Sequence, residues 1–104
     1  MQDFILAQRE QIAELCRRHH VLRLSIFGSA ARDDFDPATS DVDLIVDFDL
    51  GRIPPGTYVS NKIAFHDELT RHLQRKVDLL TWKSVKNPYL LEEIKLFNEE
   101  LYAA

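Results

Sequence analysis

Residues 41–49 read DVDLIVDFD, and this near-strict alternation leaves little choice of local structure. A strand turns successive side chains to opposite faces. Val42, Leu44, Val46 and Phe48 therefore share one face, and Asp41, Asp43, Ile45, Asp47 and Asp49 share the other. The apolar face needs a covering layer. Two further short runs supply neighbouring strands. In VLRLSIF, residues 21–27, Leu22, Leu24 and Ile26 alternate with Arg23 and Ser25. In KVDLLT, residues 76–81, Val77 and Leu79 alternate with Lys76, Asp78 and Leu80.

The covering layer comes from segments of helical period. Residues 2–19 place Ile5, Ile12, Leu15 and Cys16 on one stripe, with Gln, Arg and Glu between them. Cys16 on that stripe reads as a buried core thiol. His19 and His20 close this helix, where positive charge suits the dipole, and read as structural or solvent-facing rather than as ligands. A second helix is expected from about Asn61 to Gln74, capped by Ser60, with Phe65, Leu69 and Leu73 inward. Asn87-Pro88 opens a last helix carrying Leu90, Leu91, Ile94 and Phe97, which frays or turns into a short strand near Leu101 and Tyr102. The segment DLGRIPPGTYVS, residues 49–60, is a long loop and a candidate mobile segment. The order of elements predicts an α/β (α+β) fold: a small mixed β-sheet with flanking helices. At 104 residues, one domain spanning 1–104 is expected.

The net charge of −4 argues against direct nucleic-acid binding, which is usually carried by strongly basic surfaces. A small anionic ligand remains open, because a metal can offset charge locally. A single cysteine excludes an intrachain disulfide and suits a reducing compartment. The N-terminal stretch MQDFILAQREQIAEL is not a signal peptide, and no segment approaches membrane-spanning length. A soluble cytoplasmic protein without membrane association is the expectation. A chain this short needs a partner to supply part of the surface for any large substrate.

The chemistry concentrates around GSAARDDFDPATSDVDL, residues 28–44. Asp41 and Asp43 point the same way, with Cα atoms roughly 6.5–7 Å apart from the strand rise. Like charges side by side are costly without a cation, and oxygen ligands suit Mg²⁺ or Mn²⁺. Asp47 and Asp49 fit a plain solvent-facing strand, as Asp33, Asp34 and Asp36 beside Pro37 fit a solvated turn. Gly28 lets backbone approach a phosphate closely, Ser29 offers an amide and a hydroxyl, and Arg32 lies one helical turn further on. If the 76–81 strand lies beside the 41–49 strand, Asp78 joins the two acids. Its other reading is an exposed edge position beside Lys76. A shared site requires the 21–27 and 41–49 strands to be antiparallel neighbours.

Gly28-Ser29, Asp41-Val42-Asp43 and Asp78, in the stretches FGSAAR, SDVDLIV and KVDLL, resemble the nucleotidyltransferase superfamily that shares the DNA polymerase β palm. Over nearly its whole length the chain is similar to the minimal nucleotidyltransferases, or MNT proteins. The resemblance implies a polymerase β palm-like fold and an adenylyltransferase taking ATP as substrate with two Mg²⁺ ions. It implies Asp41, Asp43 and Asp78 as catalytic and metal-binding residues, Asp78 also serving as a candidate general base. Gly28, Ser29 and Arg32 are implied to be nucleotide-binding, with Ser40 adding a hydrogen bond beside Asp41. It further implies an antitoxin that forms a hetero-oligomer with a HEPN-type RNase toxin and silences it by placing AMP on a tyrosine. Ala30 and Asp33 depart from the basic residue and glycine that members often carry there, and the extra acid is expected to weaken triphosphate binding.

Two other activities compete: an antitoxin that neutralises by binding alone, and a small-molecule nucleotidyltransferase, against which the lack of a recognisable acceptor domain counts. Tyr58, Trp82 and Tyr89 are candidates for the partner interface; for Trp82 and Tyr89, packing of the last helix is an equal alternative.

Overall fold

In a computed structural model, residues 2–31, 36 and 41–104 are described, with Ser29 and Ala30 described by backbone alone. Helices α1 (Asp3–Leu6) and α2 (Arg9–Arg18) lead into β1 (Val21–Phe27) and a short 3₁₀ turn, Gly28–Ala31. Then follow β2 (Val42–Phe48), α3 (Tyr58–Leu73), β3 (Val77–Thr81), a second 3₁₀ turn, α4 (Pro88–Leu96) and β4 (Glu99–Ala103).

The four strands lie in the order β3-β2-β1-β4. β1 pairs antiparallel with β2 and β4, and β2 pairs parallel with β3, so the sheet is mixed as expected. The apolar face of β2 is buried as its alternation requires: Val42, Leu44, Val46 and Phe48 join Ile12, Leu15 and Cys16 of α2 and Phe65, Leu69 and Leu73 of α3 in the main core. Phe65 is its hub, meeting Phe48 edge-on at 5.9 Å and His19 at 5.5 Å. On the opposite face α4 lowers Ile94 onto Phe27 and Ile45, with Leu80, Trp82 and Leu90 around them. This smaller cluster explains why Ile45 interrupts an otherwise acidic face.

Several expectations change in detail. The first helix is broken at Ala7–Gln8, and nothing in the sequence explains the break. Leu22 is exposed and Val21 takes its place in the core, because the β1–β2 register shifts between Val21 and Arg23. Such a bulge reverses facing for the residue it displaces. The second helix starts at Tyr58, three residues before the expected Asn61. Ser60 lies inside its first turn, where its hydroxyl donates to the Thr57 carbonyl rather than capping. Asn61 instead ties α3 to α2: Nδ2 donates to the His19 carbonyl (2.9 Å), and its Oδ1 accepts from His19 Nδ1 (3.2 Å). Asn87 does cap α4, accepting from the amides of Tyr89 and Leu90. The loop after β2 is pinned by the buried Ile53 and by turn bonds from Arg52 to Asp49 and from Thr57 to Pro54. Beyond α4 the chain forms β4, with Leu101 buried in the main core. No helix among the described residues is long and apolar enough to cross a membrane.

Candidate active site

The site lies where three strand ends meet. β2 enters the sheet at Val42, whose amide donates to the Lys76 carbonyl at 3.0 Å. The parallel register then sets Asp43 opposite Asp78. Register partners in a parallel pair share a face and stand about 4.8 Å apart across the ladder. Asp41 precedes Asp43 by two residues and belongs to the same face. On the other side of β2, Phe27 at the end of β1 is the antiparallel partner of Asp43, which brings Gly28 to the same place.

Gly28 is required here twice over. Its φ of +68° is in the left-handed region, which L side chains rarely adopt. A Cβ at this position would run into Oδ2 of Asp43 and stand 3.2 Å from its Cγ. The turn backbone is thus packed against the carboxylate with no room for a side chain.

Burial grades the acids. Asp43 is half-buried between Gly28 and the neighbouring strands, and Asp78 on the edge strand is exposed. No covered face therefore has to account for Asp78. Asp41 pairs with Lys76, Oδ2 to Nζ 3.6 Å. That lysine was legible only as a neighbour of Asp78; the parallel register is what sets it against Asp41. Behind the acids, Ile45 and Leu80, two residues further along β2 and β3, belong to the cluster under α4. The acids are consequently the polar margin of an apolar floor. Trp82 is part of that floor, whereas Tyr89 is 85% exposed and Tyr58 lies edge-on to Phe48.

Of the seven residues singled out from sequence, Gly28, Asp41, Asp43 and Asp78 come together, and the Ser29 backbone follows Gly28 directly. Arg32 and Ser40 lie outside the described residues, as does Asp33. Among the described residues no three His, Cys, Asp or Glu side chains are already gathered as a metal-binding cluster. The donor set nevertheless fits a hard divalent cation. It is all carboxylate, it lies on one face of the sheet across two paired strands, and one of its members already attracts a cationic side chain.

The family model described as nucleotidyltransferase domain matches residues 9–97. A Methanocaldococcus jannaschii protein, described as a candidate protein adenylyltransferase, is 33% identical over 93 residues, covering 82% of this chain and 89% of that one. The solved structure of a candidate minimal nucleotidyltransferase superposes with a TM-score of 0.74 at 28% identity, covering 94% of this chain and 95% of the other. A chain from the complex of tri-AMPylated Shewanella oneidensis HEPN toxin with MNT antitoxin superposes with a TM-score of 0.64 at 17% identity. That match covers 96% of this chain and 73% of the other, and at such identity it shows the shared fold alone.

Proposed function

We propose, because this chain belongs to the nucleotidyltransferase domain family, that it transfers AMP from ATP to a tyrosine hydroxyl of a HEPN-type toxin and so acts as its antitoxin. Residues 1–104 would act as one catalytic domain. The observation that carries this reading is the packing of the Gly28 turn on Asp43, with Asp78 in register beside it. A phosphate-approaching turn and a carboxylate pair are then held together by three paired strands. The description of the M. jannaschii relative as a candidate protein adenylyltransferase supports a protein acceptor. The tri-AMPylated toxin named in the S. oneidensis complex supports a HEPN partner.

In this reading the Gly28–Ser29 backbone receives phosphate oxygens of ATP, and Arg32 and Ser40 add to their binding. The acceptor oxygen attacks the α-phosphorus in line. The bond from that phosphorus to the bridging oxygen breaks, and pyrophosphate leaves. The hydroxyl proton passes to a carboxylate, for which the exposed Asp78 is the accessible candidate. Asp41, Asp43 and Asp78 would hold two Mg²⁺ ions, which Mn²⁺ could replace. When bound, such ions stabilise charge on the entering and leaving oxygens. The protein's own part is positioning, by strand pairing that fixes the acids before substrate arrives.

ATP labelled at the α-phosphate tests this directly. With the co-purified partner present, label is expected on the partner protein, and ATP labelled at the γ-phosphate leaves none. Asp41→Asn with Asp43→Asn is expected to abolish the transfer. Full transfer by that double variant overturns the assignment of the site.

A further inference from the structure

Lys76 is unexplained by the mechanism above, yet its backbone is held in the sheet at the mouth of the site. Its carbonyl accepts from the amide of Val42, the residue between the two acids, so its backbone is part of the ladder that opens the site. Its ammonium stands 3.6 Å from Oδ2 of Asp41. Among the described residues it is the cation that pairs with this acid. The parallel register forces the arrangement: with Val42 opposite Val77, the residues just before them, Asp41 and Lys76, fall side by side.

We infer that Lys76 is the counter-ion of Asp41 in the metal-free site and competes with the divalent cation for that carboxylate, thereby setting the metal affinity of the site. This rests on the metal reading proposed above. Three carboxylates on one face of two paired strands repel one another without a cation. An ammonium is a compact point charge on a flexible stem, and this one is 74% exposed, so it can leave without disturbing the core. Asp41, at 36% exposure, is open to water and can exchange partners. Exposed pairs of this kind are worth roughly a 1.5- to 5-fold factor in an equilibrium. The lysine can therefore compensate the acid without locking it.

The test is Mn²⁺ binding measured by titration calorimetry at low ionic strength, where the pair is least screened. Lys76→Met keeps the aliphatic stem and removes the charge. It is expected to bind Mn²⁺ about two- to fivefold more tightly than wild type, with Lys76→Arg close to wild type. In the Asp41→Asn background, Lys76→Met is expected to change nothing. A gain of affinity is a readout that structural damage does not produce. Equal or weaker binding by Lys76→Met overturns the competition and leaves the metal site standing. Absence of Mn²⁺ binding by wild type overturns the metal site itself and the role of the lysine with it.

Discussion

Gly28 and Cys16 show how a single position can be decided by its surroundings. Gly28→Ala must place a β-carbon against the Asp43 carboxylate and adopt φ near +68°. The left-handed conformation alone costs about 1–2 kcal/mol, and the carboxylate has to turn away. We expect a thermal midpoint lower by several degrees and a larger loss of nucleotidyl transfer than that destabilisation explains, measured below the new midpoint. Cys16 is fully buried, and burial pushes its thiol from 9.0 up to about 12, against the smaller opposing effect of the Arg17 charge. The thiol is expected to resist alkylation in the native chain at about pH 8 and to react at once in urea. Because the folded value is raised, its contribution is fully present below about pH 9 and is lost as the unfolded thiol ionises above it. Between about pH 9 and pH 10.5 the wild type should lose roughly 1–2 kcal/mol more than Cys16→Ala, read from urea midpoints. Equal losses would contradict a buried thiol.

Helix α3 holds the layers together through Phe65, which has no exposed surface and contacts rings from β2 and the end of α2. Phe65→Ala is expected to cost about 3–5 kcal/mol, a large share of the 5–15 kcal/mol typical of a domain, so equilibrium unfolding should show a greatly reduced midpoint. Elements with a strong period were legible in the sequence. β2 and its two faces, the Phe65-Leu69-Leu73 stripe and the Asn87-Pro88 start of α4 follow from residue type and spacing alone. The misread positions depend on partners instead. Leu22 leaves the core because of a bulge that only the pairing of β1 with β2 creates. Tyr58 begins α3 behind Thr57, which makes no side-chain cap, so the serine two residues later was the visible but wrong signal. The helix then ends on Gln74 at φ 52°, without the glycine that usually marks such a turn.

Across the whole molecule, the acids were readable as candidates and their meeting as a condition on strand pairing. What the sequence left open was whether β3 lies beside β2 and in which direction and register, which the order β3-β2-β1-β4 and the parallel pairing supply. Placing β3 beside β2 in parallel brings Asp78 to Asp43 and Lys76 to Asp41 across a separation of more than thirty residues in the chain. The pairing of β1 with β2 closes the site with Gly28. The exposed edge strand leaves Asp78 open to solvent, which suits the protein acceptor proposed above. The most direct measurement of the central claim is the intact mass of the co-purified partner before and after incubation with ATP and Mg²⁺. The account predicts a rise by whole AMP units that is absent with Asp41→Asn and Asp43→Asn together. An unchanged partner mass, with the complex intact and ATP bound, would contradict it.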